Sequence, residues 1–264
     1  MSSASESVIQ WPSEAIWEAV SPQLPHFTVE VLPELGSTNT ELMRRFRLGQ
    51  TDPVLLVAER QTSGRGRLGR QWHSDADKAD SLTFSIGMVL SPQDWSGLSL
   101  AVGLSVAQSL HPGIGLKWPN DVWFDQRKLG GILIETASAG ALRYAVVGVG
   151  LNIRIPQHSD LRTAPAGLDE VLPGLTAPHA LLKIAPALIE TVQLFEQKGF
   201  ASFRDAFHAR DVLFGKAVVC SDGTTGLARG VDAMGAMLVQ TPQGVKKINT
   251  AEVSVRPAAN PLPG

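Results

Sequence analysis

Large apolar residues occupy every second position from Leu82 to Leu90, with Thr83, Ser85 and Gly87 between the first four, and no other pattern constrains the fold as strongly. Every second residue of this stretch is Leu, Phe, Ile or Met. Successive side chains of a β-strand point to opposite faces, so the pattern predicts a strand with one buried and one exposed face. The fold must therefore contain a sheet whose apolar face is covered by other elements.

Further strands follow a predicted helix over 96–110, which Pro112 and Gly113 end. Short apolar runs predict strands over 115–118, 121–124 and 128–136, and a longer one over 142–153. The turn Asp125-Gln126-Arg127 predicts that the second and third of these strands form a hairpin. Short strands are also predicted over 27–35 and 54–58.

Helical patterns occur at both ends of this strand-rich region. Ser37 to Glu41 opens a helix that Gly49 closes, because Thr38 and Glu41 have the spacing of a capping box. Two more helices are predicted over 181–197 and 200–208, after a Pro- and Gly-rich stretch, 156–178, that we interpret as an extended surface loop. A short helix is predicted over 13–20 within an otherwise loose lead-in.

The pattern changes near residue 212. From Lys216 onward the chain contains short strands separated by glycine turns, which predicts a small β-barrel of about 50 residues. We therefore divide the chain into a lead-in (1–25), a catalytic domain (26–211) and a C-terminal domain (212–264).

Composition excludes several classes of protein. The 264 residues carry a net charge of −2, so there is no overall basic field of the kind that binds nucleic acid. Cys220 is the single cysteine, so no internal disulfide can form. We find no signal peptide and no run of 18 apolar residues, and we expect a cytoplasmic protein that does not enter a membrane.

A glycine- and arginine-rich loop, residues 61–72, is the most informative motif. Its glycines permit unusual backbone dihedral angles, and Arg65, Arg67 and Arg70 offer forked donors to phosphate or carboxylate groups. Trp72 offers a face for a planar base. The alternatives are a solvated basic loop or an RNA-binding patch, and the chemistry alone does not decide between them.

Two lysine-containing motifs follow. Lys117-Trp118-Pro119-Asn120-Asp121 lies between two predicted strands, where Asp121 is a candidate ligand for Mg²⁺. Lys128 opens the strand that contains Gly130 and Gly131, and its ammonium could meet a carboxylate or a phosphate. Taken alone, the first motif is also compatible with a structural turn and the second with a solvated lysine.

Gly148-Val149-Gly150-Leu151-Asn152 lies inside a predicted strand and lacks the third glycine and the helix of a dinucleotide-binding fingerprint. We interpret its glycines as space for a flat ligand, with Asn152 forming a hydrogen bond nearby. No Ser-His-Asp or Cys-His pattern indicates a protein nucleophile. The six histidines show no metal-ligand spacing.

Together with Ser37-Thr38-Asn39, these motifs resemble those of biotin–protein ligases in order and spacing over residues 30–256. The resemblance implies an α+β fold, with a mixed or antiparallel sheet packed with helices as in class II synthetases and an SH3-like barrel at the C-terminus. It also implies the substrates biotin and ATP, Mg²⁺, and a biotin carboxyl carrier protein as the partner.

The resemblance also implies roles for individual residues. Arg67, Lys128 and Lys117 would be the catalytic residues. The biotin-binding residues would be Ser37, Thr38, Asn39, Gln61, Arg65, Gly66, Arg67, Lys128 and Gly131. The ATP-binding residues would be Arg65, Arg67, Arg70, Trp72, Lys117, Asn120, Lys128 and Asn152.

Three rival interpretations remain at this point: a lipoate–protein ligase, which shares the catalytic fold, a nucleic-acid-binding protein and a catalytically dead binding module. Regulatory members of the family carry an N-terminal DNA-binding domain, and 36 residues before Ser37 are too few for one. We therefore expect no repressor activity. The sequence does not decide whether the chain forms a homodimer.

Overall fold

The computed structural model describes residues 9–72, 80–157, 163–249 and 255–257. A seven-stranded mixed sheet forms the larger part of the molecule, in the order β1-β2-β3-β7-β6-β5-β4. The strands are β1 (Thr28–Leu32), β2 (Val54–Ala58), β3 (Ser81–Val89), β4 (Gly115–Lys117), β5 (Asp121–Phe124), β6 (Arg127–Ala139) and β7 (Leu142–Asn152). Strands β1 and β2 are parallel, and every other described pair in this sheet is antiparallel.

Helices cover both faces of the sheet. They are α1 (Ser13–Val20), α2 (Thr38–Arg47), α3 (Leu98–Leu110), α4 (Ala177–Lys198) and α5 (Arg204–His208). Helix α4 lies over β3 and α3 lies over β4, β5 and β6, whereas α2 packs on the opposite face against Leu56 and Val146. The prediction of a mixed sheet packed with helices is confirmed. Within the described ranges, no helix combines the length and hydropathy that a bilayer crossing requires.

Strand β3 is buried on both faces, so the prediction of a half-exposed strand is wrong. Its apolar residues belong to the main core and pack against α4, as the alternation indicated, but Thr83 and Ser85 on the other face are also buried. Helix α2 packs over this face, and the hydroxyl of Ser85 contacts Thr38 and Asn39 of that helix. Buried hydroxyl groups need hydrogen-bond partners, and this second face forms part of the site described below.

The predicted hairpin between β5 and β6 is confirmed. Phe124 pairs with Arg127, so Asp125 and Gln126 form a two-residue connection. Both residues have positive φ angles, 47° and 59°, as the turn type that matches the twist of a hairpin requires.

Local signals misplaced several other boundaries. Ser37, not Thr38, caps α2, because the Ser37 hydroxyl accepts a hydrogen bond from the backbone N–H of Thr40. Helix α4 starts at Ala177 rather than residue 181, since the hydroxyl of Thr176 caps it and Pro178 is tolerated in a first turn. The expected loop over 156–178 therefore ends earlier, and it contains a 3₁₀ turn at Leu168–Glu170. The segment 200–208 is a 3₁₀ turn followed by α5.

The first described helix is packed rather than loose. Ile16 and Val20 of α1 are fully buried, and α1 contacts both α4 and β1. Residues 1–8 of the predicted lead-in lie outside the described residues.

A five-stranded antiparallel sheet forms the C-terminal part, in the order β11-β10-β9-β8-β12. The strands are β8 (Ala217–Cys220), β9 (Thr225–Val231), β10 (Met237–Thr241), β11 (Gly244–Ile248) and β12 (Val255–Pro257). The predicted C-terminal domain of short strands is confirmed as this antiparallel sheet. Among the described residues no ladder joins its two outer strands, so its closure into a barrel stays a prediction. Residues 250–254, which were predicted to belong to that barrel, lie outside the described residues.

Several hydrogen bonds tie this small sheet and the linker before it to the larger one. The indole N–H of Trp118 donates to the carbonyl oxygen of Gly235, at 3.0 Å. The guanidinium of Arg210 donates to three carbonyl oxygens after α3, those of His111, Pro112 and Ile114.

Asp211, in the linker between the two sheets, makes stability depend on pH. Burial is the main influence on its carboxyl group and raises its pKa to about 6. The folded protein therefore binds a proton there that the unfolded chain has released, and stability falls as pH rises from about 4 to about 6. Asp211→Asn should keep the hydrogen bond from the Leu213 N–H and should stabilise the protein at pH 7.5 by about 1–3 kcal/mol.

Urea denaturation of both proteins at pH 4.5 and pH 7.5 measures this effect. The gain from Asp211→Asn should be much smaller at the lower pH. An equal gain at both pH values would contradict the assignment.

Candidate functional site

One row of paired residues crosses five strands and forms the floor of a cavity of about 530 Å³. Strand register aligns Thr83, Gly150, Gly131, Asp121 and Lys117 in that order, from β3 through β7, β6 and β5 to β4. Residues in one register row point to the same face of a sheet. The floor therefore has a hydroxyl at one end, two glycines in the middle, and a carboxylate with an ammonium at the other end.

Two lysines meet the carboxylate at the charged end of this floor. Lys128 Nζ lies 2.6 Å from Asp121 Oδ1. Lys117 is buried and its Nζ lies 4.6 Å from the centre of the Trp123 ring, a cation–π contact. Burial lowers the pKa of Lys117. The carboxylate of Asp121 opposes this shift, whereas the positive charges of Lys128 and Arg256 lower the pKa further. A buried ammonium among other cations has a strong tendency to bind an anion.

The backbone of Lys128 is held by the segment over 164–166. Its N–H donates to Ala164 and its carbonyl oxygen accepts from Ala166. Asn152 donates its amide to the carbonyl oxygens of Lys128 and Ala166. Asn152 does not line the cavity, so its structural contribution is to fix Lys128, and the predicted contact between Asn152 and a nucleotide stays a prediction.

A buried polar cluster forms the opposite end of the cavity, at the start of α2. The backbone N–H and the hydroxyl of Thr38 both donate to Gln61 Oε1. Ser85 Oγ lies 2.6 Å from Thr38 Oγ1 and 2.6 Å from Asn39 Oδ1. The amide nitrogen of Asn39 donates to the Leu133 carbonyl oxygen and to Glu135 Oε2. The cluster is thus largely satisfied and holds its side chains in fixed orientations.

Ser85 is the central member of this cluster, and the chain contains a matched control. Ser85→Ala should reduce the free energy of unfolding by about 1–3 kcal/mol, because it leaves buried polar atoms without their partner. The hydroxyl of Ser105, buried in α3, has no hydrogen-bond partner among the residues that the structure describes. Ser105→Ala should therefore be neutral or slightly stabilising. Urea denaturation of the two variants measures the difference, and equal losses would contradict the role given to Ser85.

The loop over 61–72 closes over the cavity, and we call it the flap. Its backbone folds on itself, with hydrogen bonds from Gly66 N to Arg70 O and from Trp72 N to Gly64 O. The tip is a turn in which Leu68 and Gly69 have φ angles of 58° and 70°. A left-handed conformation is costly for leucine, so the tip is strained at Leu68.

Side chains of the flap reach the floor and the surrounding strands. Arg65 donates to Glu135 Oε1 at 2.9 Å, and Arg67 donates to Asn120 Oδ1 at 3.3 Å. The Trp72 indole lies on Gly150, where an added Cβ would be 2.5 Å from an indole carbon. Burial lowers the pKa of the Arg67 guanidinium, and the nearby Asp121 opposes this.

The interpretation of the β7 glycines as space for a flat ligand is wrong for this structure. Gly150 accommodates the indole of Trp72, and Gly148 accommodates the side-chain amide of Asn39. Both neighbours belong to the protein. Gly131, a predicted biotin-binding residue, also belongs to the floor. The nearest neighbours of a Cβ added there would be the charged groups of Lys128 and Asp121.

The structure brings nearly all predicted site residues to this one cavity. Those that line it are Ser37, Thr38, Asn39, Gln61, Arg65, Gly66, Arg67, Arg70, Trp72, Lys117, Asn120, Asp121, Lys128 and Gly131. The sequence analysis missed Thr83, Ser85, Trp123 and Glu135. It also did not predict that Val255–Pro257 of β12 would reach the cavity.

The carboxylates near the cavity do not form a metal centre by themselves. No group of three or more His, Cys, Asp or Glu side chains in the described part of the chain is arranged to hold a metal ion. Asp121 is already paired with Lys128. A magnesium ion here would need most of its oxygen ligands from substrate phosphates and water, which is common for this metal.

Comparisons with known proteins assign the fold and the cavity to a class. Residues 31–152 match the Biotin/lipoate A/B protein ligase family, which is the class of ligases for these two acids. Residues 214–256 match the Biotin protein ligase C terminal domain, which points to the biotin branch of the class.

Individual relatives agree with this assignment. The bifunctional ligase/repressor BirA of Escherichia coli K12 is 32% identical over 247 residues, which are 89% of this chain and 76% of that protein. The biotin–[acetyl-CoA-carboxylase] ligase of Paracoccus denitrificans is 31% identical, over 84% of this chain and 98% of its own. The solved biotin protein ligase from Aquifex aeolicus in complex with biotin and ATP has a TM-score of 0.75 at 30% identity, covering 87% and 99% of the two chains. The chain belongs to the biotin protein ligase family.

Proposed function

We propose that the protein joins biotin to ATP as biotinyl-5′-AMP and then transfers the biotinyl group to a lysine of a biotin carboxyl carrier protein. The observation that carries the proposal is the register row of the floor. It puts Lys117 and the Asp121–Lys128 pair in the same cavity as the buried polar cluster, under three flap arginines. One end of this cavity suits an uncharged polar group and the other suits anions.

The first half-reaction needs two anions to approach each other. The biotin carboxylate attacks the α-phosphorus of ATP, and pyrophosphate leaves with its electron pair. In the proposal, Lys117, Lys128, Arg65, Arg67 and Arg70 reduce the repulsion between the reactants and stabilise the charge on the phosphoryl oxygens. Positioning and fixed charges then supply most of the rate enhancement, and no protein nucleophile takes part.

The second half-reaction needs an uncharged amine. The amine of the carrier lysine attacks the carbonyl carbon of the mixed anhydride, AMP leaves, and the amine loses its proton. The family's acyl-adenylate is open to hydrolysis, so a closed flap protects it until the carrier docks. This role is consistent with the contacts of Arg65, Arg67 and Trp72 to the floor and its surroundings.

The proposal also assigns the two substrates to parts of the cavity. Ser37, Thr38, Asn39 and Gln61 would bind biotin, with Gly66 and Gly131 close to it. Trp72 would pack on the adenine, while Asn120 would contact the nucleotide. Mg²⁺ would neutralise part of the triphosphate charge when bound, and Asp121 is the residue in the cavity that would face it.

The proposed partner is the carrier domain of a carboxylase, since the Paracoccus relative is named for acetyl-CoA carboxylase. A cytoplasmic location, where ATP and such carriers occur, belongs to the same proposal. The absence of repressor activity stays a prediction.

One assay tests the function directly. The purified chain is incubated with ATP, Mg²⁺, a carrier domain and either biotin or lipoic acid, and the carrier is analysed by streptavidin blot and by mass spectrometry. We expect biotinylation of one lysine and biotin-dependent ATP–pyrophosphate exchange. Exchange supported by lipoic acid alone would assign the chain to lipoate, and no exchange with either acid would contradict the proposal.

A further inference from the structure

We propose that Glu135 is a latch: a positioning residue that holds the flap closed and at the same time fixes the orientation of the Asn39 amide. The inference rests on the proposed function, and it adds a residue that does not line the cavity. Glu135 lies on β6 with its side chain about one-fifth exposed, between the flap and the first turn of α2.

Each oxygen of the Glu135 carboxylate has its own partner. Oε1 accepts from the Arg65 guanidinium at 2.9 Å, and Oε2 accepts from the Asn39 amide nitrogen at 2.9 Å. Arg65 belongs to the flap, whereas Asn39 belongs to the buried cluster. A single side chain therefore connects a segment that must open for substrate entry with a group that lines the substrate cavity.

The orientation of Asn39 depends on having an acceptor at this position. Its amide nitrogen has two protons, and the carbonyl oxygen of Leu133 and Glu135 Oε2 accept one each. Its amide oxygen accepts a hydrogen bond from the hydroxyl of Ser85. With the amide reversed, its oxygen would face a carbonyl and a carboxylate, which is unfavourable. Glu135 thus makes one orientation of Asn39 strongly preferred.

Glutamine cannot replace Glu135 in both contacts. A carboxylate offers two accepting oxygens, but a glutamine amide offers one accepting oxygen and one donating nitrogen. In Glu135→Gln the nitrogen must face either Arg65 or Asn39, and both of these are donors. The variant has nearly the same size and shape as the original residue, so any effect reports the lost acceptor and charge rather than a change in packing.

The kinetic consequence is faster loss of the reactive intermediate. The Arg65–Glu135 pair is half exposed on the arginine side, and pairs of this kind contribute modestly. We expect Glu135→Gln and Arg65→Gln each to raise the rate at which biotinyl-adenylate leaves the enzyme by about two- to fivefold. Both variants break the same contact. The release rate of the double variant should therefore be close to that of the faster single variant, and well below the product of the two separate increases. Glu135→Gln should in addition weaken biotin binding without ATP.

A matched control lies at the other end of α2. Glu30 pairs with Arg45 of the same helix through both of its oxygens, at 2.9 Å, and neither residue lines the cavity. Glu30→Gln removes a similar ion pair and should leave intermediate release and biotin binding unchanged.

The experiment measures release of biotinyl-adenylate by rapid gel filtration of the full-length protein, and hydrogen exchange of residues 63–72 by mass spectrometry. Support for the latch is faster release and faster flap exchange in Glu135→Gln than in Glu30→Gln, with non-additive double-variant rates. Equal behaviour of the two glutamine variants, or fully multiplicative rates, would overturn it. If the wild type makes no adenylate the proposed function fails, and the exchange comparison between the two variants still decides the latch.

Discussion

Lys128→Ala is expected to lower biotin-dependent ATP–pyrophosphate exchange by about 10²–10³-fold and to leave the fold intact. Losses of this size are typical when a preorganised charge at the reacting centre is removed. The backbone hydrogen bonds of Lys128 to Ala164 and Ala166 do not involve its side chain, so the truncation should leave β6 in place. An unchanged circular dichroism spectrum and an unchanged urea midpoint would show that the fold is retained.

The pairing with Asp121 makes this loss larger than the removal of one positive charge. Without the ammonium, the Asp121 carboxylate stays in the cavity and repels both anionic substrates. Lys128→Ala combined with Asp121→Asn should therefore exchange faster than Lys128→Ala alone, by about tenfold if the freed carboxylate costs about 1.4 kcal/mol. Wild-type exchange in Lys128→Ala would refute the role of Lys128, and a slower double variant would show that the proposed role of Asp121 toward Mg²⁺ outweighs its repulsion of the substrates.

The sequence predicted the members of the site better than their arrangement. The flap and the two lysine motifs could be recognised because glycines, prolines and charges are concentrated there, and these residue types have local reasons to occur together. By contrast, the floor joins positions 83, 150, 131, 121 and 117, which share no sequence spacing. Only the pairing of five strands creates this row, so no local pattern could have shown it.

Ser85 and Glu135 show why some site residues were missed. Ser85 lies between Phe84 and Ile86 in an alternating strand, and polar residues at such positions normally face water. In this protein α2 covers that face, and the hydroxyl becomes the centre of a buried cluster. Glu135 comes at the end of an apolar run, where a solvated acid is the ordinary interpretation. Its two partners are 70 and 96 residues away in sequence, so only the structure reveals them.

The two glycines of β7 were recognised in the sequence as a place of close approach, but the group that approaches them was not. Two glycines in a buried strand do indicate that something approaches the backbone closely. The sequence does not say whether this is a ligand or another part of the protein. In the structure the neighbours are Asn39 and Trp72.

Arg67→Gly should release biotinyl-adenylate about ten- to a hundredfold faster than the wild type and should biotinylate bystander proteins. Arg67 is half-buried and donates to Asn120 across the cavity, so its loss removes a charge-assisted contact worth about 1.5–3 kcal/mol. Glycine next to Gly66 also gives the flap additional backbone freedom. Arg67→Ala separates these causes, because alanine removes the charge but adds less freedom. We expect alanine to give most of the increase in release and glycine to give more.

The bystander reaction tests where the intermediate goes after release. Free biotinyl-adenylate acylates exposed lysines of any protein, so serum albumin in the assay should become biotinylated in proportion to the rate of release. The Glu135→Gln variant should do the same more weakly, since it loosens the flap without removing a cavity cation. If Arg67→Gly retained its intermediate as long as the wild type, the flap would not be the barrier to escape, and retention would have to come from the floor. The ranking of wild type, Glu135→Gln, Arg67→Ala and Arg67→Gly therefore measures how much of the barrier each contact provides.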